Sequence, residues 1–204
     1  MRLEFGARQI AIIALSTALY AVLNWFSAAF QVVPGASLVF PATAVAIVMT
    51  MWFGFWGALG AYFGTIIGNF AWGTSVQVSI TGGIHDMIEG LIPAAVFYAL
   101  NLRRDLGDRR SLAAYVVLVV IATGVNALLG NLNYVLWGLQ TVDYALTVGI
   151  WPWWLADLVA GLVLGIPLLR FLSPFVRRSG LYHRHFFARN GGGDGEGIIE
   201  RSRA

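Results

Sequence analysis

The sequence predicts an all-α integral membrane protein, a bundle of six transmembrane helices with both termini in the cytoplasm. Three observations carry that expectation. Charge is sparse: 58% of the 204 residues are hydrophobic, 11% are charged, and the mean hydropathy is +0.74. A soluble domain carries about 25% charged residues, so this chain cannot cover a water-facing surface with them. Apolar runs near the length that crosses a bilayer, about 20 residues, recur along most of the chain. Finally, the arginines fall only at the ends and in one loop, as the positive-inside rule expects of cytoplasmic segments.

The elements follow in order. Residues 1–8 form a basic head with Arg2 and Arg8. Helix 1 is expected from Gln9 to Val33, stopped by Pro34-Gly35, and helix 2 from Leu38 to Phe55. A tight Gly-rich turn leads into a short helix 3 ending near Trp72. Helix 4 is expected from Val78 to Leu100, before the charged loop holding Arg103, Arg104, Arg109 and Arg110. Helix 5 covers Leu112 to Leu139, a polar loop holds Gln140 to Thr147, and helix 6 runs from Ile150 to Leu169. The membrane domain thus spans residues 9–172, and residues 173–204 form a basic, then Gly-rich tail expected to be partly disordered. Counting spans from a cytoplasmic Arg2 and Arg8 puts the charged loop inside after four spans and Arg170, Arg177 and Arg178 inside after six. The arginine-free loops near 34–37, 73–77 and 140–148 then face outward.

Composition also excludes functions. There is no cysteine, hence no disulfide, thiolate metal site or cysteine nucleophile. All 13 basic residues are arginine. Without lysine there is no Walker A loop and no Schiff base. The net charge of +3 does not form a nucleic-acid groove, because the arginines are confined to the inner side. No cofactor and no enzymatic activity are expected.

Polar groups inside the membrane are the functional candidates, since an ionisable side chain there costs about 2.5–3.5 kcal/mol on insertion scales. Between Gln9 and Leu102 the only ones are His85, Asp86 and Glu89, and between Ser111 and Leu169 only Asp143 and Asp157. No arginine lies in either stretch. At 1.5 Å per residue Asp86 lies about 12 Å, Glu89 about 16 Å and Asp157 about 10 Å from the outer surface. Asn131 and Asn133 of helix 5 and Asn69 of helix 3 fall in the same outer half, as do Trp72, Tyr134, Trp137, Trp151, Trp153 and Trp154. Helical spacing puts Asp86 with Glu89, Asn133 with Trp137, and Trp154 with Asp157. The expected substrate-binding set is Asn69, Trp72, His85, Asp86, Glu89, Asn131, Asn133, Trp137, Trp154 and Asp157. An acidic, aromatic-walled cavity suits a cationic or amine-bearing aromatic solute through ion pairing and cation–π contact. Against that stand ordinary roles: Trp as an interfacial belt, Asn bonding between helices, and carboxyls held structurally.

Small residues form two further patterns. Gly57, Gly60, Gly64 and Gly68 in helix 3 allow close helix approach. Ala11, Ala14, Ala18 and Ala21 form a stripe on helix 1, open to internal packing or to docking of another membrane protein.

Six short helices, the Ala14-Leu15-Ser16-Thr17-Ala18 element, the Pro34-Gly35 outer loop, Pro41, and the Phe53-Gly54-Phe55-Trp56-Gly57-Ala58-Leu59-Gly60 hairpin together resemble the substrate-binding S component of an energy-coupling-factor (ECF) transporter. The resemblance covers about residues 9–172. It implies capture of a vitamin or vitamin precursor from outside. It also implies docking through the alanine stripe onto an ECF transmembrane coupling subunit with two ATPase subunits, and a lid at Gln31–Ser37. The site would lie in the inner (plasma) membrane of a prokaryote. The N-terminal histidine motif of the nickel and cobalt members is missing, so no metal ligands are assigned, although His85, Asp86 and Glu89 leave a metal substrate open. The acidic residues favour thiamin, its pyrimidine precursor or a deazapurine over anionic vitamins. Two other readings stand beside this one. The segment Leu38 to Ala44 also looks like the membrane input domain of a signalling protein serving a separate partner. An intramembrane aspartyl protease would use Asp86 and Asp157, but lacks the usual Gly-x-Gly-Asp context.

Overall fold

The structure is a computed structural model and describes residues 5–33 and 35–182. It is all-α apart from one small hairpin. Helix α1 covers Ala7–Ala28, α2 Ala42–Phe53, α3 Phe55–Gly68, α4 Val76–Ala99, α5 Arg109–Leu136 and α6 Val142–Arg178. Strands β1 (Gln31–Val33) and β2 (Ala36–Ser37) pair antiparallel between α1 and α2. Among the described residues three helices, α1, α5 and α6, are long and apolar enough to cross a membrane. Helix α4 has 24 residues, but His85, Asp86 and Glu89 lower its hydropathy.

Helix α2 is the hub. Nearly every residue from Ala42 to Phe53 is buried, and α1, α3, α4 and α6 pack around it. It turns into α3 at Gly54, where φ is 63°, a conformation an L side chain resists. Beyond the turn, a Cβ on Gly57 would lie 2.3 Å from the Met49 carbonyl oxygen, so the two short helices touch backbone to backbone. The glycine row of α3 serves α1. Cβ atoms on Gly60, Gly64 and Gly68 would meet Ser16 Cβ at 2.1 Å, Tyr20 Cβ at 2.6 Å and Asn24 Nδ2 at 2.4 Å. The glycines therefore admit larger side chains from a parallel neighbour. Gly60→Ala should destabilise the fold by about 1–3 kcal/mol through overpacking, read as a lower midpoint of thermal unfolding in detergent.

The bundle has two unlike halves. The apolar core gathers at one end around Ile47, Met51, Trp52, Phe97, Tyr115, Val119 and Leu169. The arginines close that end. Arg104 donates to the Met51 carbonyl at 2.9 Å and lies over the rings of Tyr98 and Tyr182 at 4.2 and 4.1 Å. Arg177 pairs with Asp105 at 3.1 Å, and Trp52 Nε1 donates to Ser173 Oγ at 2.8 Å. Asp108 caps α5, accepting the Ser111 N–H and hydroxyl, both at 2.8 Å. Those two bonds hold its carboxyl below the usual aspartate range. Stabilisation by the depressed carboxyl is therefore complete above the ordinary aspartate range and is lost as pH falls through the folded-state value. Acidification should accordingly lower the protection factor of the Ser111 amide, the ratio of its intrinsic to its observed exchange rate at the same pH, before it does so in mid-helix.

Several expected boundaries shift. Helix 1 stops at Ala28 rather than Val33, because the β-branched Val32 and Val33 enter the hairpin with Gly35 at φ 77°. Helix 2 begins at Ala42, and residues Asn69–Trp72 tighten into a 3₁₀ turn after α3. The polar loop expected over Gln140–Thr147 is mostly helical: α6 starts at Val142 with Asp143 in its first turn, passes through wide turns at Ala145–Gly149 and Leu168–Leu172, and continues to Arg178. The expected tail from residue 173 thus begins as helix. The readings placed on residues 1–4, on Pro34 and on the Gly-rich tail lie outside the described residues.

Candidate functional site

The other half of the bundle, at the hairpin end, holds the polar groups. A cavity of about 30 Å³ opens there. Asn24 of α1, Thr65 of α3, and Asn69 and Trp72 of the 3₁₀ turn form one side. Gly82, His85 and Asp86 of α4 face Asn133 and Tyr134 of α5 and Trp153 of α6. Gly35 of the hairpin and Phe40 form the cover. Among the described residues no arginine lines it.

Each polar side chain is held. Trp72 Nε1 donates to Asn24 Oδ1 at 2.6 Å, and Asn24 Nδ2 donates to Asn69 Oδ1 at 3.2 Å. Asn133 Nδ2 donates to the Val78 carbonyl at 3.0 Å. Thr65 donates to Asp86 Oδ2 at 2.6 Å, while His85 Nδ1 lies 3.3 Å from Asp86 Oδ1 and 2.5 Å from Asn126 Oδ1. Both neighbours of Nδ1 are acceptors, so Nδ1 carries the proton and donates. Asn126 Nδ2 donates to Asp157 Oδ2 at 3.2 Å, which fixes its amide with the oxygen toward His85. A continuous chain therefore runs Thr65–Asp86–His85–Asn126–Asp157, from the cavity wall into the protein. Trp153 stacks edge-on to His85 at 5.8 Å and to Tyr134 at 6.2 Å.

The expected residues divide into three groups. Asn69, Trp72, His85, Asp86 and Asn133 come together on the cavity. Glu89 and Asp157 are fully buried but do not line it; Asp157 is joined to it through Asn126 and His85. The other three point elsewhere, which corrects the expectation. Asn131 donates to the Ala127 carbonyl at 2.9 Å and accepts from Gln140 at 3.0 Å, lying against Gly149 at the start of α6. Trp137 is 43% exposed and donates to Thr81 at 3.0 Å. Trp154 turns toward α5 and donates to the Val120 carbonyl at 3.3 Å. Trp153 takes the place expected of Trp154, because a residue four before Asp157 shares its face more closely than one three before it. Asn24, Thr65, Phe40 and Trp153 were not among the expected contacts. Asn24 and Thr65 are polar residues in apolar helices, a signal available in the sequence.

On α1, Ala11, Ala14 and Ala18 are exposed, whereas Ala21 is buried at 6%. The inward face is Ile12, Ser16, Tyr20, Asn24 and Ser27, so Ala21 leaves the outward stripe. Among the described residues no group of three or more His, Asp or Glu side chains is arranged to hold a metal ion. Comparison with family models, curated proteins and solved structures finds no match to this chain.

Proposed function

We propose that this protein is a six-span membrane protein of the prokaryotic inner membrane, cytoplasmic at the arginine end, that captures a small amine-bearing aromatic solute from outside. In this reading it is the S component of an ECF transporter, delivering a vitamin or precursor to a transmembrane coupling subunit driven by two separate ATPase subunits. It binds its solute without chemically altering it. The observation that carries the reading is the Asp86 carboxylate on a cavity wall shared with Trp72, Phe40, Tyr134 and Trp153 and free of arginine. A carboxylate with aromatic faces around it selects a cation over an anion. The exposed Ala11, Ala14 and Ala18 supply a close-approach surface for the coupling subunit.

Volume sets a condition on this mechanism. Solute pockets enclose about 300–1,000 Å³, and 30 Å³ accommodates about two waters. Binding therefore requires the β1–β2 hairpin and the Asn69–Trp72 turn to move outward, and closure over the solute then buries it. Gly35 is seated against the Tyr134 ring, where a Cβ would lie 2.6 Å from the ring, so this contact has to open first.

The test is gentle purification followed by mass spectrometry of any bound molecule. An amine-bearing heteroaromatic compound is expected. An anionic ligand would overturn the selectivity, and co-purification with a sensor kinase in place of ATPases would overturn the transport role.

A further inference from the structure

Beneath the solute cavity lies a second polar cluster. Glu89 of α4, Asp157 of α6 and Thr43 of α2 are each 0% exposed. Four of their oxygens, both of Glu89, Oδ1 of Asp157 and Oγ1 of Thr43, have no hydrogen-bond partner among the described residues. Thr43 and Asn126 neighbour both carboxyls, and Asn126 Nδ2 donates to Asp157 Oδ2 at 3.2 Å. Buried oxygens left unmatched in this number are rare in folded proteins. Beside them stand Asn126 of α5 and Trp153 of α6. Tyr115 gives its hydroxyl proton to the Gly161 carbonyl at 2.8 Å, and no arginine is within the group.

We propose that Thr43, Glu89 and Asp157 form a binding site for one sodium ion, separate from the solute cavity. The donors are all hard oxygens, which suits an alkali or alkaline-earth cation rather than a transition metal. Calcium takes six to eight oxygens and magnesium keeps several waters in octahedral geometry. Two carboxyls and one hydroxyl in a dry interior offer neither. A single proton shared between the two carboxyls leaves one net negative charge buried with them, and one monovalent cation beside that shared proton neutralises it. The ion would also tie α2, α4 and α6 together.

The test uses the full chain in detergent without solute. Thermal unfolding is followed at fixed pH and ionic strength as sodium chloride replaces choline chloride. A saturable, sodium-dependent rise in Tm of several degrees is expected, weaker with potassium. Thr43→Val and Glu89→Gln should each raise the half-saturating sodium concentration at least tenfold, while Trp72→Phe in the cavity should leave it unchanged. Displacement of radioactive sodium from the unmutated protein by unlabelled sodium supplies a readout that needs no variant to fold. Stabilisation that follows pH and ignores sodium would assign the oxygens to a proton, and a response unchanged in Thr43→Val would place the ion elsewhere. Either result overturns the proposal and leaves the solute reading standing, because no solute is present.

Discussion

Replacing Asp86 by asparagine is expected to weaken capture of an amine-bearing solute about a hundredfold or more, equivalent to about 3 kcal/mol. The side chain keeps its size, and the Thr65 hydroxyl at 2.6 Å still finds an oxygen, so the packing of α3 against α4 is retained. What disappears is the negative charge on the wall, and with it the ion pair that offsets desolvation of the solute's cation. Equilibrium binding of thiamin and of a neutral isostere to both proteins measures the difference. The asparagine variant should lose discrimination between the two, with the neutral compound bound about equally by each protein. Equal affinity of both proteins for the cation would remove Asp86 from recognition and with it the basis of the selectivity.

Asn126→Leu is expected to be the most damaging single change to the folded state, at about 2–4 kcal/mol. Asn126 is fully buried and bridges the cavity-wall pair to Asp157, with bonds of 2.5 Å to His85 and 3.2 Å to Asp157. Leucine fills the volume but matches neither group. Asp157 Oδ2 then loses its Asn126 donor, and a stranded buried acceptor costs about 1–3 kcal/mol, more when charged. Thermal unfolding in detergent reads the loss. Trp137→Phe is the comparison: it removes one hydrogen bond at a 43% exposed residue and should cost about 1 kcal/mol or less. If the two variants unfold alike, the chain of side chains from Asp86 to Asp157 contributes nothing to stability.

The sequence revealed the helical architecture and the placement of polar groups at one end, because lipid leaves little freedom in where charge can go. The confinement of arginine to the ends and one loop, and its absence between Gln9 and Leu102, are written in the sequence itself. Facing was harder. Ala11, Ala14, Ala18 and Ala21 suggest a packing stripe, yet α1 turns Ser16, Tyr20 and Asn24 inward, because the glycines of α3 make room for larger side chains rather than for other small ones. Of the tryptophans, Trp153 and Trp154 differ by one position and point to different neighbours, a distinction that periodicity of 3.6 resolves only when the helix phase is known. The wide turns of α6 alter that phase and leave no mark in composition. The hairpin was hidden for a similar reason: Val32 and Val33 extend an apolar run, and only the chain reversal at Gly35 ends it.

Helix α6, 37 residues long, measures about 55 Å at 1.5 Å per residue, against about 30 Å for a hydrocarbon layer. Its far portion must therefore project beyond the lipid or lean. Trp153 sits on the cavity while Arg177 grips Asp105 at the opposite extremity, a span of about 36 Å. Pivoting such a rod by 5° about one extremity displaces the other by about 3 Å. On the proposed capture role, a tilt at Trp153 would be carried toward the segment around Asp105 through the wide turn at Leu168–Leu172.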